Sequence, residues 1–214
     1  MCGGGFYSHA IFPWLMNAVM SGSAMARRRG EALAEVTGQT LEIGFGTGLS
    51  LPHYPPSVTK LTAIDANEGM EKYARRRITH SSLIVDYQTI NGEALPMPDG
   101  AFDSVVSAYT LCSIAEVEKA LKEARRVLKP GGRFFFLEHG LGDDEKTRKW
   151  QRRLTPLQKI IGDGCHLDRD IETLVKDSGL RIVSMKKFLM DKSSFLPETV
   201  RKMGQMYMGV AVRQ

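Results

Sequence analysis

Residues 40–48, Thr-Leu-Glu-Ile-Gly-Phe-Gly-Thr-Gly, join a short apolar run to three glycines at alternate positions. A run of this length predicts a strand that is buried on both faces of a sheet. Glycine adopts positive φ and allows a backbone to approach a ligand closely, so the glycines predict a binding turn. The dinucleotide pattern is Gly-x-Gly-x-x-Gly, and Gly48 comes one position too early for it. The stretch therefore predicts a strand and a ligand-binding turn of another kind.

A carboxylate follows the next predicted strand. Leu61–Ile64 is a second apolar run, and Asp65 ends it. A carboxylate at this place can accept hydrogen bonds from both hydroxyls of a ribose. The glycine turn and Asp65 together predict a nucleoside ligand, and the alternative is a tight turn beside a surface aspartate.

The rest of the chain alternates strand and helix patterns. Further strands are predicted at Leu83–Ile90, Asp103–Ala108, Arg133–Leu137, Leu180–Phe188 and Gln205–Val212. Helices are predicted at Asn67–Arg77, Ala115–Leu128 and Asp168–Ser178, with Ser113 and Glu116 at the spacing of a capping box. This alternation predicts a parallel sheet with helices on both faces. The last two strands have no helical pattern between them, so we expect the last one to pair antiparallel at the end of the sheet.

Composition narrows the class of protein. The 214 residues are 43% hydrophobic and 25% charged, and the net charge is +5. This composition excludes a mainly disordered, collagen-like or coiled-coil protein. Arginine triplets at 27–29 and 75–77 would spread around a helix, which predicts solvated faces rather than a nucleic-acid groove. Three irregularly spaced cysteines favour a reducing, cytoplasmic setting over a disulfide framework.

The start of the chain is rich in aromatic residues and methionine. Its apolar run, Ala10–Met20, is shorter than the roughly 20 residues that a membrane span needs, and we expect neither a signal peptide nor a transmembrane helix. The first interpretation is a helix that packs on the core or covers a pocket, with Phe12 and Trp14 shaping an acceptor site. The alternative is an interfacial helix with peripheral contact to lipid or to a lipophilic substrate.

Several motifs stand in a fixed order along residues 38–140. They are Glu42–Gly48, Asp65, Asn91-Gly92-Glu93-Ala94-Leu95-Pro96, Phe102-Asp103 and Arg126-Val127-Leu128-Lys129-Pro130-Gly131-Gly132. This series resembles the type-11 methyltransferase domain of class I S-adenosylmethionine-dependent methyltransferases. The resemblance implies an α/β, Rossmann-like fold, with a seven-stranded mostly parallel sheet, helices on both faces and an antiparallel last strand. It also implies one domain over 1–214, with an N-terminal helical lid (1–37), a cofactor-binding core (38–140) and acceptor-side helices with the final strand pair (141–214).

The resemblance also implies roles by position, with S-adenosylmethionine as the cofactor. Glu42 and the loop of Gly44, Phe45, Gly46, Thr47 and Gly48 would hold the methionine end of the cofactor. Asp65 would take the ribose hydroxyls, and Ala66 and Met70 would flank the adenine. Asn91 would meet the adenine amino group, with Gly92 offering its backbone, and Tyr109 and Thr110 would border the methyl-transfer site.

The acceptor is predicted to be a small, fairly apolar molecule. The Asn/Asp-Pro-Pro-aromatic motif of enzymes that methylate base amines does not follow Ala108. Residues 110–114, 136–139 and 161–165 resemble the methyltransferase-like seven family of thiol S-methyltransferases, which have an N-terminal membrane anchor that is short or absent here. A thiol is therefore the first prediction. A phospholipid amine such as phosphatidylethanolamine or a quinone is the alternative, since the same pattern is similar to those methyltransferases too.

A thiol acceptor must lose its proton, because the thiolate is the nucleophile. His139, Asp163 and His166 are the candidate bases, and a capped loop histidine and a helix-start residue are the alternatives for the two histidines. Cys165 lies beside His166, but the sequence brings no further ligand to it, so no metal is predicted, and Cys112 is expected to pack as a small hydrophobe. Two other classes stay open: a nicotinamide oxidoreductase and a non-catalytic cofactor-binding protein. The sequence makes no prediction of oligomeric state.

Overall fold

A computed structural model describes residues 5–190 and 204–214. Among these residues the strands are β1 (Gly38–Ile43), β2 (Val58–Asp65), β3 (Val85–Thr89), β4 (Phe102–Ala108), β5 (Leu128–Gly140), β6 (Leu180–Leu189) and β7 (Gln205–Arg213). They form one seven-stranded sheet in the order β3-β2-β1-β4-β5-β7-β6. Strands β1 to β5 pair in parallel, and β7 runs antiparallel to both β5 and β6. The predicted Rossmann-like, mostly parallel sheet is confirmed.

Both faces of the sheet are covered. Phe134 and Phe136 point into a core that includes residues of helices α4 (Val117–Val127) and α6 (Ile171–Asp177), whereas Phe135 packs on the other face with Leu33 of helix α2 (Ser23–Leu33). Neighbouring residues of a strand alternate between the faces, so three consecutive phenylalanines can all be buried only where both faces are covered. The helices are α1 (Phe12–Met20), α2 (Ser23–Leu33), α3 (Glu68–Ile78), α4 (Val117–Val127), α5 (Glu145–Ile161) and α6 (Ile171–Asp177).

The position of β7 differs from the prediction. The strand lies between β5 and β6, and β6 occupies the edge of the sheet. Four consecutive residues of β7, from Gln205 to Met208, are buried, whereas β6 has many exposed positions. A continuous buried run suits an interior strand, and this difference between the two runs is the physical reason for their order.

The predicted capping box at α4 is wrong. The helix begins at Val117, and Glu116 at its N-cap makes no side-chain capping bond. The backbone N–H of Ser113 donates to Thr110 in a turn, which keeps Ser113 outside the helix. Glu93 accepts the backbone N–H of Glu116 at 2.9 Å instead, so a residue from a distant loop satisfies this helix end.

The structure also contains two short helical turns. A π-helical turn, Tyr7–Ile11, leads directly into α1, and a 3-10 turn, Leu51–His53, follows the glycine loop. No helix within residues 5–190 or 204–214 combines the length and apolar character needed to cross a bilayer.

Candidate functional site

A cavity of about 1200 Å³ opens at the carboxyl ends of the parallel strands. The loops that follow β1, β2, β3 and β4 contribute to its wall, together with the end of β5, the N-terminal helices and α5. Ligands of open α/β sheets bind at this edge because parallel strands bring their loops together there. The volume is large enough for two small molecules side by side.

The three glycines of the first loop have the predicted conformation. Gly44, Gly46 and Gly48 have φ values of 75°, 56° and 80°. A Cβ at Gly44 would lie 2.0 Å from Cγ2 of Thr110, so no side chain fits there. A Cβ at Gly46 would meet no described atom nearer than 4.0 Å, which means that Gly46 faces open space in the cavity.

Asp65 fastens this loop to the next one. Its Oδ2 accepts the backbone N–H of Gly46 at 2.7 Å, and its Oδ1 accepts that of Asn67 at 2.8 Å. Burial raises the pKa of Asp65 above its ordinary range. A carboxylate oxygen has two lone pairs, so both oxygens keep capacity for a ligand hydroxyl in the cavity that Asp65 lines.

The other residues that were predicted to contact the adenosyl part of the cofactor also line the cavity. Ala66 and Met70 line the cavity, as do Asn91 and Gly92 from the loop after β3. Oδ1 of Asn91 accepts the backbone N–H of Glu93 at 3.0 Å, which orients the amide group. Phe45, Thr47, Tyr109 and Thr110 also line the cavity.

Glu42 lies behind the loop and outside the cavity lining. Its side chain is 1% exposed and accepts a hydrogen bond from Tyr54 Oη at 2.8 Å. Burial raises the pKa of Glu42 to about 7. The structure therefore places the Glu42 carboxylate in contact with Tyr54 rather than with the cavity.

A second buried carboxylate, Glu138, was not singled out by sequence. It accepts the backbone N–H of Thr110 at 2.9 Å and the hydroxyl of Ser107 at 2.7 Å, and burial raises its pKa to about 7. The residue before Thr110, Tyr109, has a φ of 60°, which is uncommon for a residue with a side chain. Glu138 thus fixes the turn that brings Tyr109 and Thr110 to the cavity. The signal in the sequence that could have identified Glu138 is its position directly after the apolar run of a predicted strand.

Arg29 corrects the expectation of a solvated triplet at 27–29. Its side chain is 5% exposed, lines the cavity and donates to the backbone carbonyl of Met20 at 2.9 Å. Its guanidinium lies over the ring of Tyr109, 5.1 Å from the ring centre. A cation at this place can pair with an anionic group of a ligand.

The N-terminal helix covers one side of the cavity with one of its faces. Phe12, Met16 and Met20 line the cavity, whereas Trp14 is 61% exposed and lies outside the lining. The structure therefore separates the two aromatic residues that the sequence grouped together. Met25, Leu154, Leu157, Ile161, Leu167 and Met206 extend this apolar wall.

The three candidate bases do not meet at one point. His139 and Asp163 line the cavity, and His166 does not. Asp163 Oδ2 accepts the Ser8 hydroxyl at 2.7 Å and the Asn67 amide at 3.2 Å. His166 donates from Nδ1 to the carbonyl of Cys112 at 3.2 Å, and burial lowers its pKa.

His139 instead lies with two cysteines. A ring nitrogen of His139 and the sulfurs of Cys112 and Cys165 are all within 4.8 Å of one another. All three residues line the cavity, and both cysteines are free thiols. Sequence reasoning missed this group because its members are 27 and 26 residues apart, from Cys112 to His139 and from His139 to Cys165, with no motif that joins them.

Comparisons with known proteins identify the family of this chain. Residues 41–136 match a family model described as a methyltransferase domain. Thiol S-methyltransferase TMT1B is a relative: its Rattus norvegicus form is 41% identical over 138 residues, which cover 61% of this chain and 54% of that protein. Its Homo sapiens form is 34% identical over 175 residues, which cover 75% of this chain and 71% of that protein. The chain therefore spans between about half and seven tenths of the length of these relatives.

A bacterial relative and a solved structure extend the comparison. Phosphatidylethanolamine N-methyltransferase of Cereibacter sphaeroides is 30% identical over 164 residues, which cover 75% of this chain and 79% of that protein. A putative methyltransferase of Bacillus halodurans superposes with a TM-score of 0.71 at 16% identity, over 88% of this chain and 98% of that one. At that identity the superposition supports the fold alone.

Proposed function

This chain belongs to the methyltransferase-domain family, and from that premise we propose that it transfers the methyl group of S-adenosylmethionine to a small thiol. One observation carries the proposal. The same cavity is lined on one side by the glycine loop and Asp65 and elsewhere by apolar side chains together with His139. The thiol S-methyltransferase relatives, at 34% to 41% identity, favour a thiol as the acceptor.

The residues of the cavity fit this cofactor. The open space at Gly46 leaves room for a ligand against the backbone, and Asp65 can accept the hydrogen bonds of two ribose hydroxyls. Met70 and Ala66 offer apolar contact for an adenine, and Asn91 offers an amide. We assign Arg29 to the carboxylate at the methionine end, because it is the arginine that lines the described part of the cavity.

When bound, this cofactor supplies a methyl group on a positively charged sulfur. The chain's own residues then have two tasks, which are to orient the acceptor and to exclude water. Phe12, Met16 and Met20 cover the cavity with apolar side chains. Glu138 holds the backbone of Thr110, which keeps the turn at the transfer site in one conformation.

His139 is the ionisable group that we propose beside the acceptor sulfur. Asp163 lines the same cavity, but its Oδ2 already accepts hydrogen bonds from Ser8 and Asn67, which ties it to the N-terminal segment. A reducing compartment is part of this proposal, because Cys112 and Cys165 are free thiols and a thiol substrate survives only where thiols stay reduced.

A phospholipid amine is the second candidate acceptor. The bacterial phosphatidylethanolamine N-methyltransferase is 30% identical to this chain over 164 residues. Several large apolar side chains near the cavity point to solvent, as an interfacial surface would require. They are Phe6, Ile11 and Trp14 in the N-terminal segment and Ile160 near the end of α5.

Transfer of an isotope-labelled methyl group tests both acceptors. The full chain would be incubated with labelled S-adenosylmethionine and either a small alkyl thiol or phosphatidylethanolamine vesicles. We expect label in the thioether of the alkyl thiol. Label in the lipid alone would replace the thiol by a lipid amine, and cofactor binding without label in either product would contradict both acceptors.

A further inference from the structure

Three potential metal ligands from distant parts of the chain meet at the wall of the cavity. Cys112 lies in the loop after β4, His139 near the end of β5, and Cys165 in the loop after α5. Their two sulfurs and one ring nitrogen lie within 4.8 Å of one another. A tetrahedral Zn²⁺ with bonds of about 2.3 Å to sulfur and about 2.0 Å to nitrogen would need ligand atoms about 3.5–3.8 Å apart. Small side-chain adjustments would therefore suffice to bind an ion.

The histidine of this cluster has unused bonding capacity. Nε2 of His139 is buried and has no hydrogen-bond partner among the residues that the structure describes. Buried side-chain nitrogens almost always have a partner, and an ion or a water can supply it where the protein does not. An imidazole nitrogen and two thiolates are ligands that Zn²⁺ prefers.

The protein backbone holds the cluster together. The backbone N–H of His166 donates to the carbonyl of Cys112 at 2.8 Å, which joins the two cysteine loops. Arg169 donates to the carbonyls of Leu111 and Ile114, on both sides of Cys112. These two bonds hold the loop that carries Cys112 in one position beside the loop that carries Cys165.

The cluster offers three protein ligands, and all three face the cavity. Zinc sites with three protein ligands and a free fourth position are typical of catalysis, whereas structural sites have four. A thiol that coordinates zinc is deprotonated at neutral pH. This arrangement would solve the problem that a thiol acceptor poses, which is the need for a thiolate.

We propose that Cys112, His139 and Cys165 bind one Zn²⁺ ion, and that the fourth coordination position of this ion takes the acceptor thiol as a thiolate. This inference rests on the proposed function. On binding, the acceptor sulfur gives its proton to solvent. It then forms a bond to the methyl carbon of S-adenosylmethionine while the bond from that carbon to the sulfonium sulfur breaks. The electron pair of the broken bond stays on that sulfur, which becomes a neutral thioether, and the methylated acceptor is a neutral and weaker zinc ligand.

Metal content is the first test. The full chain, purified in reducing buffer and loaded with Zn²⁺, would be freed of excess metal and its zinc measured by mass spectrometry. We expect close to one ion per chain, little or none in Cys165→Ser and His139→Ala, and the wild-type content in His80→Gln, whose histidine is exposed at the end of α3. Circular dichroism would check that each variant is folded. A wild-type chain without zinc, or folded ligand variants that keep it, would overturn the site.

Cobalt tests the fourth position without relying on turnover. In a chain loaded with Co²⁺, thiolate ligands give a charge-transfer band, and the weaker visible bands report the ligand set. We expect a small alkyl thiol to change the visible bands and the matching methyl thioether to leave them unchanged. Visible bands that do not respond to the thiol would overturn the open position.

Chelation separates this inference from the proposed function. We expect removal of the metal to lower thiol methylation roughly a hundredfold, the size of a lost acid–base contribution, and added Zn²⁺ to restore it. Full methylation by the metal-free chain would overturn the zinc inference and leave the thiol methyltransferase standing. A chain whose cobalt spectrum responds to thiol but which never methylates it would keep the site and contradict the proposed reaction.

Discussion

Asp65 is the side chain whose change is expected to weaken cofactor binding most directly. In Asp65→Asn the side chain keeps one strong acceptor, whereas the carboxylate serves the N–H groups of Gly46 and Asn67 and a ribose. We expect binding of S-adenosylmethionine to weaken by about 1–3 kcal/mol, the cost of leaving buried polar groups unpaired. Calorimetric titration measures this change.

Asp86→Asn is the matched control for Asp65. Asp86 lies on the neighbouring strand β3 and accepts a hydrogen bond from the Gln88 side chain at 3.0 Å, outside the cavity lining. Its substitution should leave the affinity unchanged. Equal affinity of the Asp65 variant and the wild type would remove Asp65 from the cofactor site.

Glu42 makes the stability of the protein depend on pH. Burial raises its pKa from an ordinary 4.5 to about 7, so between these values the folded chain binds more protons than the unfolded chain. The free energy of unfolding therefore falls as the pH rises through this range, by up to about 3 kcal/mol for one such group. Glu138, with a pKa also near 7, acts in the same direction.

Glu42→Gln removes one of these two contributions. The hydroxyl of Tyr54 can rotate to accept from the amide, so we expect the variant to fold. The variant has no proton to lose at this position. Its free energy of unfolding, compared with that of the wild type, should therefore be more favourable at pH 8 than at pH 5. Urea unfolding at the two pH values measures this gain. The same pH dependence in both proteins would contradict the raised pKa of Glu42.

At the scale of elements, the two faces of α1 should differ in function. Phe12 is buried and lines the cavity, and Trp14 is largely exposed. We expect Phe12→Ala to raise the KM for the acceptor about tenfold, which corresponds to about 1.4 kcal/mol of lost apolar contact. Trp14→Ala is the control of similar chemistry and should leave the kinetics unchanged. The opposite order of effects in steady-state assays would contradict the position of this helix.

The elements themselves follow from the sequence to a large extent. All seven strands were predicted. Continuous apolar runs indicated the strands that are buried on both faces, and β-branched residues indicated the less regular strand at Leu83–Ile90. Helix α5 was not delimited, because its surface is rich in charge and Pro156 lies inside it, which normally argues against a helix. The cap of α4 was mistaken because the partner that satisfies Glu116 is Glu93, 23 residues away. Such a contact leaves no local pattern.

At the scale of the whole molecule, a ligand that binds only the folded chain must raise its thermal midpoint. S-adenosylmethionine at about a hundred times its Kd should add about 2.7 kcal/mol, or roughly 5–10 °C for a domain of this size. NADH should have no effect, because the glycine loop departs from the dinucleotide pattern. Differential scanning calorimetry with each ligand checks both expectations, and a shift with NADH alone would favour an oxidoreductase.

The sequence by itself determined the order of the strands along the chain, the glycine loop and Asp65, because these depend on residue type and on spacing over a few positions. Only the tertiary structure decided that Arg29 enters the cavity, that Trp14 does not, and that β7 lies inside the sheet. It also brought Cys112, His139 and Cys165 together from three separate loops and strand ends. The physical reason is that parallel strands collect their carboxyl ends at one edge, and helices and loops from other parts of the chain pack over that edge. Residues far apart in sequence thus become neighbours through packing rather than through any local signal.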